Sequence, residues 1–183
     1  MRIHRAIFGI AAMCLLFAGC GDSTGPEGGS FEATISGDME LSVDGDAIFG
    51  VTSEGAVDRW MIFLENGRFL SLDYDMIGFL REGSDTPISV GTHTIAEATS
   101  DDLDGEDITG VYWMGRHNGT LGVYTSVSGT LTITSSDAER VVGNFSFSVT
   151  VQIAVVDVSD VRELTVTGSF EAAAGTIPSG VGS

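Results

Sequence analysis

The stretch RVVGNFSFSVTVQIAV, residues 140–155, alternates along its length. Val141, Phe145, Phe147, Val149, Val151 and Ile153 fall on one side, and Asn144, Ser146, Ser148, Thr150 and Gln152 on the other. Successive side chains of a β-strand point to opposite faces, so a period of two describes a strand with one face on a core and the other in water. A helix would repeat its apolar positions every 3.6 residues instead. The run exceeds the roughly three to ten residues of most strands. It is therefore expected to bend, bulge or pass between two sheets, with Gly143 and Gly168 as bend sites.

The pattern extends to both sides. In TLTITS (130–135), Leu131 and Ile133 alternate with threonines, and in RELTVTGSFEA (162–172), Leu164, Val166, Phe170 and Ala172 oppose Glu163, Thr165, Thr167, Ser169 and Glu171. The polar connections SSDAE (135–139) and DVSD (157–160) separate these runs, which predicts a three-stranded antiparallel meander. Upstream, RWMIFLENGRFLSLDYDM (59–76) places Asn66-Gly67 between two apolar runs, and Asn118-Gly119 separates GVYWMGR from TLGVYTSV. Both dipeptides tolerate the positive φ of a tight turn, so each predicts a hairpin. At the start, SFEATIS (30–36) carries Phe31, Ala33 and Ile35 on one side, and MELSV (39–43) and AIFGV (47–51) follow it as further strands. The expected fold is all-β: an antiparallel β-sandwich or rolled barrel of about nine or ten strands. It occupies residues 31–172, and AAAGTIPSGVGS is read as a tail that frays over 173–183.

Composition bounds the function. The chain of 183 residues has 26 acidic residues against eight arginines and no lysine, for a net charge of −18. A surface this negative repels phosphate backbones and anionic headgroups, which excludes nucleic acid as a partner and electrostatic docking onto anionic lipid. The wealth of glycine and the scarcity of proline, 25 against 3, fit a folded chain rich in turns.

Residues 1–19 have the layout of a secretory signal. Arg2 and Arg5 precede a charge-free apolar run over 6–18, which is too short to cross the roughly 30 Å hydrocarbon core of a bilayer. The stretch FAGC (17–20) resembles the lipobox of bacterial lipoproteins, matching at Ala18, Gly19 and Cys20, with Phe17 where leucine is commoner. The resemblance implies cleavage before Cys20, acyl chains on that cysteine, and attachment to the membrane through them. Two or three such chains anchor a protein durably. An ordinary signal peptide with an incidental cysteine is the alternative. Gly21 directly after the cysteine, with Asp22 one place later, implies the outer membrane in lipoproteins of this kind.

Residues 20–30 then form the lipidated cysteine and a Gly/Ser-rich linker, a coil with an end-to-end distance of roughly 17 Å. Cleavage removes Cys14 and leaves Cys20 as the sole cysteine, so the exported body has no disulfide and rests on its core. The phrases GTLTITSSDAERVVGNFSF and TVTGSFEA resemble the uncharacterised small all-β lipoprotein domains of environmental bacteria, a resemblance that implies no particular activity.

Chemistry has few places to sit. His93 and His117 belong to no ligand-spaced set and read as polar strand or turn residues. No Gly-x-Ser-x-Gly elbow occurs, and among so many acids a glycosidase pair has no distinguishing signal. In SDDLDGED (100–107), Asp101, Asp102, Asp104, Glu106 and Asp107 surround Gly105. Hard oxygen ligands on a turn are what calcium requires, although the spacing departs from the EF-hand loop and a solvated acidic loop is the plainer reading. Trp60, Tyr74, Tyr112, Trp113 and Tyr124 fall on predicted strands. An exposed row of them would bind glycan or peptide, whereas a buried set is packing.

The expected function is therefore a lipid-anchored β domain of the cell envelope with a noncatalytic binding or structural role. The alternative is a lipocalin-like carrier of a small hydrophobic ligand. In the first case Phe145, Phe147, Phe170 and Trp60 fill the interior, and in the second they line a void. Either histidine clustered with acids and a hydroxyl in one cleft would mark an enzyme.

Overall fold

A computed structural model describes residues 28–54, 57–67, 74–98, 107–117, 120–156 and 163–177. Nine strands and no helix occur among them: β1 (Ser30–Gly37), β2 (Leu41–Glu54), β3 (Val57–Asn66), β4 (Asp75–Glu82), β5 (Gly91–Ala96), β6 (Ile108–His117), β7 (Thr120–Ser136), β8 (Arg140–Val156) and β9 (Glu163–Ala174). The lipobox, with Cys20, lies outside the described residues.

The strands form one sheet in the order β1-β2-β3-β4-β6-β5-β7-β8-β9, and β9 pairs back onto β1, so the sheet rolls into a closed ring. Closure removes the long unpaired edges that an open sheet of this size would present. The meander over β7, β8 and β9 is antiparallel throughout, as the alternation predicts. The sheet is not wholly antiparallel: β5 runs parallel to β6 at Ile95↔Ile108, and the end of β9 runs parallel to β2 at Ile48↔Ala173. No local sequence signal marks these two short contacts, because they arise where the ring closes past the ends of other strands.

Burial follows the predicted faces. Val141, Phe145, Phe147 and Val149 are buried, whereas Asn144, Ser146, Ser148 and Thr150 are exposed. The length of β8 is accommodated by register shifts against β7, one of them between Ser126 and Ser128. Gly143 and Gly168 make room for rings. A Cβ on Gly168 would lie 2.6 Å from the Phe145 ring, and one on Gly143 would lie 2.9 Å from the Phe170 ring. Phe79, reaching in from β4, meets Phe145 at 5.1 Å and Phe147 at 5.4 Å between ring centres, and Phe145 meets Phe170 at 6.3 Å. Burial of a phenylalanine contributes about 1.5–3 kcal/mol, and each tilted ring pair adds about 0.5–1.5 kcal/mol.

Three expectations are corrected. MELSV and AIFGV form one strand, β2, because its first half pairs with β1 (Val43↔Ala33) and its second half with β3 (Ile48↔Phe63), so the ladder passes straight through Asp44-Gly45-Asp46. Asn66-Gly67 does begin the β3–β4 hairpin, with Gly67 at a φ of 94°. Asn66, however, lies opposite Asp75, a register that a tight turn at Asn66-Gly67 would not give, and residues 68–73 lie outside the described residues. The second dipeptide, Asn118-Gly119, lies outside the described residues, and the strands that flank it pair antiparallel, with His117 opposite Thr120.

The third correction concerns the tail. Ala173 and Ala174 continue β9, the Gly175 amide donates to the Phe49 carbonyl at 2.9 Å, and Ile177 is buried. Ile177 joins Ile48, Met61, Phe63, Tyr74 and Met76 in a second apolar cluster, apart from the ring's main core. The strap crosses β2 at Gly50, where a Cβ would lie 2.5 Å from the Gly175 carbonyl oxygen. Hydrophobic contact therefore holds the chain through Ile177, and the remainder of the expected tail lies outside the described residues.

Candidate functional site

The interior of the ring is lined by buried apolar side chains. Trp60, Phe145, Phe147 and Phe170, the residues that distinguish a filled body from a carrier, all belong to its continuous apolar core. At one end of the interior this core turns polar. Asp75 opens β4 on the same side as Ile77 and Phe79, and its Oδ1 accepts hydrogen bonds from the Tyr112 hydroxyl and the Gly115 amide, both at 3.1 Å. Tyr112 stacks on Tyr124 with ring centres 5.9 Å apart. Burial, followed by the charge of Asp75 and the bond to it, pushes the Tyr112 hydroxyl well above its ordinary titration range. Tyr124 is raised as well, by burial and then by the charge of Asp38. These phenols keep their protons at any physiological pH, so they are not bases: Tyr112 donates to Asp75, and the Tyr124 hydroxyl is buried without a hydrogen-bond partner among the described residues.

On the outside, the shift in register between β7 and β8 leaves Val127 without a cross-strand partner between the pairs Ser126↔Val149 and Ser128↔Ser148. A bulged residue of this kind locally kinks its strand. Val127 is 43% exposed. It borders an open cleft of about 430 Å³ whose walls include Ser128, Ser148, Thr150, Thr165, Asp38 and Glu163. Asp38 is held there by the Glu163 amide, which donates to its Oδ2 at 3.0 Å. Hydroxyls and two acids, beside the aliphatic residues Val127, Val149 and Leu164, suit hydrogen bonding to a neutral or cationic polar partner.

The residues singled out from sequence are not brought together. Asp101, Asp102, Asp104 and Glu106 lie outside the described residues. Asp107 is described, half-buried just before β6, and no group of three His, Cys, Asp or Glu among the described residues is placed to share a metal. His93 Nε2 lies 2.8 Å from the Ser89 carbonyl oxygen. The parallel register Ile95↔Ile108 sets His93 two positions before that pair and His117 nine after it. At about 3.3 Å per residue they stand roughly 35 Å apart along the sheet. Trp60, Tyr74, Tyr112 and Tyr124 are buried, and only Trp113 of that set reaches the surface, so they form no aromatic platform. Sequence reasoning missed Asp75, Asp38 and Val127. Asp75 carries a signal, an acid in phase with the buried Ile77 and Phe79, whereas the cleft depends on a register shift that no local pattern encodes.

No protein-family model matches the chain, and neither a curated protein nor a solved structure is significantly similar to it. Fold and residues together define a class, an all-β rolled sheet around a packed interior.

Proposed function

We propose that this chain is a lipid-anchored protein of the cell envelope, attached through Cys20, whose β body has a noncatalytic binding or structural role. The observation that carries the reading is the filled interior: the rings of Phe79, Phe145, Phe147 and Phe170 occupy the space that a carrier would leave for cargo. The outward rows of β8, with Asn144, Ser146, Ser148 and Thr150, favour a body standing in water, since a membrane-spanning barrel would place apolar residues outward. The separation of His93 from His117 supports a noncatalytic role. Binding is assigned to the outer surface, with the cleft beside Val127 as its first candidate.

Two measurements test this. Cells fed labelled fatty acid should label the wild-type chain and not Cys20→Ser, and label persisting on the variant would overturn the anchor. Native mass spectrometry of Cys20→Ser should show the protein mass alone. A stoichiometric apolar molecule retained by the protein would reinstate the carrier.

A further inference from the structure

Of the arginines whose side chains are described, two are paired with glutamate. Arg59 Nε lies 3.1 Å from Glu82 Oε1, and Arg140 is bonded to Glu171. Arg81 is different. Among the described residues it has no carboxylate partner, and its one hydrogen bond there runs from Nη2 to the Ser84 hydroxyl at 2.8 Å. Its Nε is buried and unpartnered.

The residue directly across the β3–β4 ladder from Arg81 is Trp60, so the two side chains share a face of the sheet. Trp60 is 1% exposed and stands in the main core, and its indole Nε1 is also a buried donor with no acceptor. Two residues directly opposite each other on the ladder thus each carry a buried N–H, one of them on a positive charge, with nothing to accept from it among the described residues. Buried donors are almost always satisfied, and a cluster that is not marks a place where something else sits. Ser84 and Ile88, both buried, border this end of the ring from the connection after β4, while Arg81 itself stays partly exposed and keeps a route to solvent.

We propose that Arg81 and Trp60 form a binding site for a monovalent carboxylate. One edge of the guanidinium presents Nε and Nη2 as a fork that matches two carboxylate oxygens, and the indole N–H supplies a further donor. The charge of the chain selects the valence: at −18 it opposes sulfate and phosphate more strongly than a single negative charge. The site is independent of the anchor and of the cleft beside Val127, and it adds a small acidic ligand to the body's binding role.

The test is a titration of the ¹⁵N-labelled full chain, held in nonionic detergent, with sodium formate against sodium chloride at constant ionic strength. The readouts are the Trp60 indole resonance, distinguished from the other tryptophan by Trp113→Phe, and the Arg81 Nε–H resonance. Formate should move both to lower field along a saturating curve, sulfate and phosphate should do so less, and Arg81→Gln should weaken the response at least about tenfold. Arg81→Lys keeps the charge without the fork and should also weaken it, so the result stands if the glutamine variant fails to fold. A formate response no different from chloride means that only water occupies the donors, and it overturns the proposal. So does a response surviving in Arg81→Lys, or one given by sulfate and not by formate.

Discussion

Phe145 lies over Gly168 on the adjoining strand, at a separation where a single added carbon would come within 2.6 Å of the ring. The reciprocal arrangement occurs two strand positions away on each side, with Phe170 over Gly143. Each glycine supplies the floor on which a ring from the neighbouring strand rests, and the two pairs lock the register of β8 against β9. A one-residue slip would turn every ring toward water.

Gly168→Ala should therefore destabilise the fold by about 1–3 kcal/mol, the usual cost of overpacking. Phe145→Ala should cost about 3–5 kcal/mol through the cavity it leaves. Combining Gly168→Ala with Phe145→Leu should recover part of the first loss, because the two positions are in contact. Urea unfolding of the wild type, Gly168→Ala, Phe145→Leu and the double variant measures the coupling, and strict additivity would contradict the packing described.

Deleting the strap from Gly175 onward removes Ile177 from the cluster of Ile48, Met61 and Phe63. The shortened chain should bind a hydrophobic dye that the intact one does not. Ile177→Ala should cost about 2 kcal/mol, the low end for a buried isoleucine because the site lies on the outer face. Gly50→Val, which blocks the crossing by backbone contact, should reproduce the dye binding with the strap still present.

The phenols set an alkaline limit on stability. The hydroxyls of Tyr74, Tyr112 and Tyr124 are all raised, mainly by burial. Below a pH of about 10, folded and unfolded chains both hold these protons, and stability does not depend on them. Above it the unfolded chain releases protons that the folded chain keeps, so stability falls as pH rises. Unfolding measured from neutral to alkaline pH should show this decline, with a smaller slope in Tyr112→Phe. At neutral pH that variant should lose about 1–2 kcal/mol with the bond to Asp75.

Asp137 sets a smaller, acidic dependence. The amides of Glu139 and Arg140 donate to its Oδ1, both at 2.8 Å, and these bonds hold its carboxyl below the ordinary value. Its stabilising effect is therefore full above the ordinary carboxylate pKa and is lost as pH falls through the lowered one. Asp137→Ala should flatten the acid limb of the stability profile slightly and speed amide exchange at the β7–β8 turn.

Much of the fold was legible in local pattern. The alternation in β8 and β9 predicted which residues are buried, and the polar connections predicted how β7, β8 and β9 pair, because a strand's face depends only on side-chain parity. The run WMIFL (60–64) carries a further signal, apolar on both parities: Trp60, Ile62 and Leu64 join the main core while Met61 and Phe63 meet the strap. The candidate sites were far less legible. Val127 becomes exposed through a mismatch between two strands, and Arg81 faces Trp60 through a register set by the β3–β4 connection. Neither relation is contained in any one segment.

Residue order alone determined the strand content, the inward rows and the net negative charge, since each can be read along the chain without knowing which strands meet. Only tertiary structure decided that the sheet closes on itself, that rings seated on glycines pack its interior, that the strap is held, and that among the described residues the buried donors of Trp60, Arg81 and Tyr124 are left without acceptors. Those outcomes depend on which strands meet and in what register, and that choice maximises buried apolar area and limits unmet hydrogen bonds over the whole molecule, not within any stretch of it.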